Sequence, residues 1–222
     1  ALVTTLRAIA DNTREGNEEV FEVCRQAPQR LFPVVCVNAL LELERAGQRV
    51  TEYARKGARA IRLYPALHRY SLADASLLEP IVVAAQGEGL PIYVTCSLFG
   101  ATAFPEMSPD ALLPLASRAT EVKFVISGVN YRTYPELKRL MKTCHNVFLE
   151  LSMLQFFEGV RALCREGLAD RLLMGSGFCL YYAGVGTGKV RSARIEEGER
   201  HRIMGENAVR LFRLEPEATQ HD

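Results

Sequence analysis

Two pairs of polar residues interrupt apolar runs at a spacing of two: Arg62 and Tyr64 in Ala58-Arg-Ala-Ile-Arg-Leu-Tyr-Pro65, and Glu150 and Ser152 in Asn146-Val-Phe-Leu-Glu-Leu-Ser152. Residues two apart on a strand share a face, so each pair points to one side. An arginine on an inward face can grip a carboxylate through its fork, or it can lie deeper and pair with Glu150. The sequence leaves both arrangements open. Glu150 is the one carboxylate within a strand that could act as a base. His68, in the loop after the Arg62 run, is the only histidine that could reach the same side, and a surface loop position is its other reading. His145 precedes a strand, His201 lies on the last helix and His221 in the tail. With one candidate base, no Ser-His-Asp set can be assembled. Thr95, Ser127, Ser176 and Gly177 stand at the ends of other apolar runs. They join Arg62, Tyr64 and Ser152 as candidate substrate-binding residues, with Glu150 and His68 as the candidate catalytic pair.

Gly184-Val-Gly-Thr-Gly-Lys189 looks like a phosphate loop but fails the pattern, because Ala183 and Val190 stand where Gly and Ser or Thr are required. Two readings remain: a loop that holds an anion through backbone N–H groups with help from Lys189 and Arg191, or a plain surface loop. The six cysteines show no CxxC spacing, which points to free thiols in a reducing cytoplasm. Cys96 and Cys179 lie near strand ends. Since Thr95 takes the inward slot, Cys96 points away, and both read as buried, inert thiols. A catalytic zinc needs three or four ligands at one point, and no such set can be drawn from this sequence.

The elements that must position these residues recur regularly. Short β-rich runs begin at 31, 58, 91, 121, 146 and 171, at intervals of 25 to 33 residues. Helical patterns fall between them, over 17–25, 40–56, 74–88, 109–120, 134–144 and 155–166, with caps expected at Ser108-Pro109, Asp74 and Gly167. Strand–helix alternation demands a parallel sheet. A doubly wound sheet should carry a Gly-rich turn after its first strand, and none is present. A (β/α)8 barrel should carry polar residues at its strand carboxyl ends, where Asn38, Arg62, Thr95, Ser127, Glu150 and Ser176 stand. The barrel is the better reading. Ala1–Thr5 makes a seventh strand, so the first strand of the barrel is expected upstream of residue 1, or something else covers the gap. The barrel domain is expected over 1–214, with a tail at 215–222.

The composition supports an ordinary globular chain: 48% of residues are hydrophobic and 24% charged, enough to build a core and too apolar for disorder. A net charge of +1 with no basic block removes the footprint of a nucleic-acid binder. No apolar run is long enough for a membrane span, and no signal peptide is expected at the start of these residues.

The carboxyl-terminal third resembles the amidohydrolase superfamily, in its amidohydrolase-2 branch of metal-dependent hydrolases and decarboxylases. Asn146–Ser152, Asp170-Arg-Leu-Leu-Met-Gly-Ser176 and the closing stretch Glu199–Phe212 carry the likeness, with Ala58–Pro65 and Gly89–Thr95 matching middle strands. The resemblance implies a TIM-type barrel and a metal site, yet this sequence departs from the pattern. The family's His-x-His pair has no counterpart. The next two histidines fall at Thr95 and within Ile126–Gly128, and the last-strand aspartate falls at Gly177. No binuclear centre is therefore expected, and one divalent metal such as zinc is open only if histidines precede residue 1. The resemblance and its departures together imply a hydrolase with a degenerate metal site. It would act on a small polar or carboxylate-bearing substrate, by lactone or amide hydrolysis or by nonoxidative decarboxylation. The alternative is a catalytically inactive barrel that binds a ligand or a protein. Family members commonly form oligomers, which implies a homodimer.

Overall fold

The β-branched and aromatic runs form seven short strands: β1 (Leu2–Val3), β2 (Phe32–Cys36), β3 (Ala60–Leu63), β4 (Ile92–Thr95), β5 (Phe124–Ser127), β6 (Val147–Glu150) and β7 (Leu172–Leu173). The structure is a computed structural model that describes residues 1–98 and 105–214. Each strand pairs in parallel with the next, in chain order from β1 to β7. In a flat sheet the outermost strands would stand about 29 Å apart, six spacings of ~4.8 Å. Yet residues following β1 and β7 line one cavity of about 360 Å³. The sheet therefore curls into the wall of a barrel, as expected. The tail expected at 215–222 lies outside the described residues.

Helices separate the strands: α1 (Leu6–Ala10), α2 (Thr13–Gln26), α3 (Ala39–Glu42), α4 (Ala46–Arg55), α5 (Pro65–His68), α6 (Ala75–Glu88), α7 (Leu113–Arg118), α8 (Tyr134–Thr143), α9 (Gly159–Arg165), α10 (Ala183–Arg191), α11 (Glu197–His201) and α12 (Asn207–Phe212). Asp74 caps α6, its carboxylate accepting from the Leu77 N–H, and Ser108 with Pro109 opens a 3-10 turn before α7.

Three helical expectations need correction. The segment 40–56 is not one helix, because Leu43 at φ +43° breaks it. Leu40, Leu41 and Leu43 face outward, and the buried stripe is Ala39, Ala46, Val50 and Tyr53. The helix expected over 155–166 begins only at Gly159, because Glu158 sits in the left-handed region. The stretch 184–189 is helix α10 rather than a loop. Gly186 brings that helix against the Gly175 carbonyl, which a Cβ would overlap, and Val190 is buried beneath it.

Alternation sorts the strand residues. Val35, Ile61, Leu63, Ile92, Val94, Phe124, Ile126, Val147, Leu149 and Leu172 point outward into the core beneath the helices. Val34, Ala60, Tyr93, Val125 and Leu173 point inward and pack with Phe212 of α12. The Tyr93 and Phe212 rings stack at 5.7 Å, and the Arg213 carbonyl accepts from Arg59, just ahead of β3. The closing helix thus stoppers the amino-terminal mouth, and the described residues of the opposite mouth line a cavity.

The outer side of β7 meets this helix instead of a strand. Asn207 Nδ2 donates to the carbonyls of Ala169 and Leu172, each at 2.8 Å. The Met174 N–H donates to the Ile203 carbonyl at 2.9 Å. That carbonyl is free because Arg202–Glu206 forms a π turn, in which the Asn207 N–H bonds Arg202, five residues back. At the other end of the sheet β1 is short, and Asn17 of α2 acts in its place. Its amide accepts from the Cys36 N–H at 2.9 Å and donates to the Cys36 carbonyl at 2.7 Å. Among the described residues, no helix is long and apolar enough to cross a membrane.

Asn207 is fully buried, and its removal strands two carbonyls. Asn207→Ala is expected to lower stability by about 2–4 kcal/mol. A fall in the urea midpoint at constant slope checks this; an unchanged midpoint would remove the role assigned to the amide.

Candidate functional site

The open mouth of the barrel holds a cavity of about 360 Å³ whose lining includes Arg62, Tyr64, Thr95, Gly128, Glu150, Ser152, Gly177, Cys179 and Tyr181. The strand parity that buries Ala60 and Tyr93 in the barrel lifts Arg62 and Thr95, two residues on, to the cavity floor.

Arg62 is the centre of the site. Its Nε donates to Thr95 Oγ1 and its Nη2 to Ser127 Oγ, each at 3.1 Å. The two hydroxyls also bond each other at 3.1 Å. The guanidinium carbon lies 5.1 Å from the Tyr93 ring centroid and 5.4 Å from that of Tyr64. Two aromatic faces therefore back the cation on its protein side. Two N–H groups are used on the hydroxyls, and the others remain for a ligand. Burial works against the charge, but Tyr64, Tyr93 and Glu150 outweigh it, so the guanidinium is held above its ordinary pKa. Burial likewise raises the Tyr64 phenol, tempered by Arg62 and the neighbouring Thr95 hydroxyl. Tyr64 Oη finds no partner in hydrogen-bonding geometry.

Glu150 faces this cation without forming an ion pair with it. Its Oε1 accepts from the Ser152 N–H and its Oε2 from Ser152 Oγ, both at 2.8 Å. These bonds hold the carboxylate at the rim. The room it occupies exists because residue 175 is glycine: a Cβ there would collide with Oε1. Gly128, at φ +72°, is equally constrained, since its Cβ would collide with the Ser97 carbonyl.

The candidate residues divide cleanly. Arg62, Tyr64, Thr95, Glu150, Ser152 and Gly177 share the cavity. Ser127 is fully buried beneath Arg62 and reaches a ligand only through it. Ser176 is not in the lining; its hydroxyl accepts from the Phe178 N–H. Lys189 is also outside, donating to the carbonyls of Leu151 at 2.6 Å and Ser152 at 3.1 Å. Burial lowers its pKa, with Glu150 opposing. It braces the turn that carries Ser152.

His68 stands behind Tyr64, with ring centroids 5.8 Å apart. Its Nε2 lies 2.8 Å from the Ile9 carbonyl. A carbonyl only accepts, so Nε2 carries the proton and the buried Nδ1 is left without a partner.

Two residues of the site escaped the sequence reading. Tyr93 was legible by parity, two before Thr95. Cys179 is exposed and lines the cavity, against the expectation of a buried thiol; no periodicity reaches the irregular turn that carries it. The other five cysteines are buried and unpaired, and burial pushes Cys36 up to about 12.

A sequence profile of the amidohydrolase family matches residues 3–214. The chain belongs to the amidohydrolase family. No curated protein matches it. Among solved structures, this chain is similar to an uncharacterized TIM-barrel protein from Bordetella bronchiseptica (20% identity, 89% of this chain and 72% of that one, TM-score 0.73). It is also similar to 5-carboxyvanillate decarboxylase from Sphingomonas paucimobilis (13% identity, 96% and 78%, TM-score 0.72). A third is a probable 2-pyrone-4,6-dicarboxylic acid hydrolase from Acinetobacter baumannii (13% identity, 88% and 78%, TM-score 0.64). At these identities the likeness establishes the TIM-barrel fold alone.

The resemblance implies a divalent metal, and the side chains among the described residues do not form a site that fits one. Among the described residues no three His, Cys, Asp or Glu side chains gather to hold an ion. On the cavity floor the Thr95 and Ser127 hydroxyls are engaged by a cation already in place.

Brief alkylation at neutral pH is expected to label Cys179 alone, read by peptide mass spectrometry; a second fast adduct would contradict the burial described. His68 has its pKa lowered by burial, partly offset by the Ile9 carbonyl. The unfolded chain then takes up a proton before the folded one does. The stability contributed by keeping His68 neutral is complete above the unfolded value of ~6.5 and is lost as pH falls from there toward the folded value. His68→Gln should flatten the urea midpoint across that window, and an unchanged slope would mean that His68 titrates normally.

Proposed function

We propose that this amidohydrolase opens a small lactone or amide at the carboxyl-end cavity, with Glu150 as base and Arg62 as the cation facing the reacting carbonyl. The observation that carries this reading is the pair of opposite charges in one cavity, Arg62 held by two hydroxyls and Glu150 by the Ser152 N–H and hydroxyl, without closing on each other. Glu150 takes a proton from a water molecule whose oxygen attacks the substrate carbonyl carbon. Negative charge then appears on the carbonyl oxygen, facing the free N–H groups of Arg62. When the C–O or C–N bond breaks, the leaving oxygen or nitrogen recovers the proton from Glu150. The new carboxylic acid gives its remaining proton to solvent, or to the departing amine, and becomes a carboxylate, so the guanidinium meets more charge as the reaction advances. That is the condition for electrostatic catalysis.

Nonoxidative decarboxylation fits the same cavity less well, because a guanidinium on the departing carboxylate stabilises the charge that must be given up. The metal site is read as degenerate, with Thr95, Ile126–Gly128 and Gly177 where the family pattern carries ligands. Free thiols support a reducing cytoplasm as the setting. The partner is a small molecule, and a homodimer is in keeping with the resemblance.

The test is absorbance-monitored opening of 2-pyrone-4,6-dicarboxylate and simpler lactones, with benzoate as a carboxylate probe in calorimetry. Glu150→Gln is expected to lower kcat by about 100-fold or more while leaving benzoate binding in place. Carboxylate binding with no opening of any lactone would make the chain a binding module. Full activity in Glu150→Gln would remove the base.

A further inference from the structure

We infer that Arg62 takes the place of the metal: the fixed cation of this cavity is a guanidinium, and anions bind there without a divalent ion. The inference rests on the proposed function only for the identity of the anion, because the placing of the cation is geometric. Three independent features converge on it.

First, the floor has the donor–acceptor polarity of a guanidinium cradle. Thr95 and Ser127 offer neutral hydroxyl oxygens, which are poor ligands for a borderline-soft ion but good acceptors for N–H groups. Arg62 uses both, at equal distances of 3.1 Å. The hydroxyls are bonded to each other, so the cradle is rigid.

Second, among the described residues the strand and helix groups that could have served a metal are engaged elsewhere, and the exposed Cys179 does not gather with two further ligands. Both Glu150 oxygens accept from Ser152. His68 turns its ring toward the Ile9 carbonyl, behind Tyr64. Cys36 is fully buried, its thiol held protonated at neutral pH by burial. At Gly177 the cavity wall has no side chain to offer.

Third, the surroundings suit a monovalent, delocalised cation. Tyr93 and Tyr64 present their rings to the guanidinium carbon, and an arginine stays charged at every physiological pH. A divalent ion in the same cavity would face that permanent charge at close range, with Glu150 the only carboxylate among the lining residues to offset both.

The chemical consequence is specific. A metal site loses its function to chelators and to protonation of its histidines, whereas a guanidinium site responds to neither. Its recognition is directional, favouring a carboxylate or developing carboxylate that can accept two parallel N–H bonds.

The experiment is calorimetric titration of benzoate into the full chain with excess EDTA, with Mn²⁺, and with Zn²⁺. The same three titrations are run on Arg62→Met and Arg62→Lys. Benzoate affinity is expected to agree within about twofold across the three conditions. It should fall by about 100-fold in Arg62→Met and by about tenfold in Arg62→Lys, which keeps the charge and loses the fork. If Arg62→Met fails to fold, Thr95→Val with Ser127→Ala dismantles the cradle instead, and a loss of about tenfold is expected there. A tenfold gain in benzoate affinity with Mn²⁺ or Zn²⁺ would overturn the inference and leave the hydrolytic reading standing. So would benzoate binding untouched by the Arg62 and cradle variants. Metal-independent, Arg62-dependent benzoate binding in a chain that opens no lactone would do the reverse: the guanidinium site would stand and the hydrolytic reading would fall.

Discussion

Every strand of a parallel sheet carries backbone donors and acceptors on both sides, and each buried one must find a partner. This requirement shapes the molecule more than any side-chain contact. Where strands adjoin, the ladder from β1 to β7 meets it. Beyond the short β1, Asn17 supplies an amide that bonds Cys36 as a neighbouring strand would. Beyond β7, Asn207 and the Ile203 carbonyl do so, and the closing helix accepts a π turn to free that carbonyl. The irregularity in the helix and the ending of the sheet are one event.

Once α12 is tied to β7, its ring at residue 212 lies against Tyr93 inside the barrel. That stack supports Tyr93 from one end while Arg62 rests on its ring. The apolar stopper and the polar mouth are thus parts of one column. A cation half-enclosed in protein is tolerable only because hydroxyls, rings and an opposed carboxylate all face it. The amidohydrolase framework here supplies a charged floor from strand residues alone, and strands place side chains more rigidly than loops do.

The sequence made the barrel legible because its period is carried by buried β-branched runs, whose length and spacing tolerate local error. Arg62, Tyr64, Thr95, Glu150 and Ser152 were legible for the same reason, since parity on a strand decides which side a residue faces. Other features were hidden. Leu40, Leu41 and Leu43 look like core by size, yet small Ala39 and Ala46 hold the buried slots. Lys189 looked like an anion ligand because its glycines suggested a loop, whereas the segment is helix α10 and one of those glycines, Gly186, lets it approach the Gly175 carbonyl. Asn17 and Asn207 carry no periodic signature, because their role depends on which backbone groups the finished sheet leaves unpaired. The exposure of Cys179 belongs to an irregular turn with no repeat to read.

Gly175 has a meaning beyond packing. A methyl group there would collide with Glu150, and the displaced carboxylate would lose the Ser152 bonds that hold it at the rim. Across the cavity the nearest strong attraction is Arg62. The separation of the two charges is therefore stored as a vacancy in the last strand's continuation, one carbon in size. A lineage of this fold that filled it would exchange a receptive dipole for a neutralised pair, and a reactive interior for an inert one, without altering either charged residue.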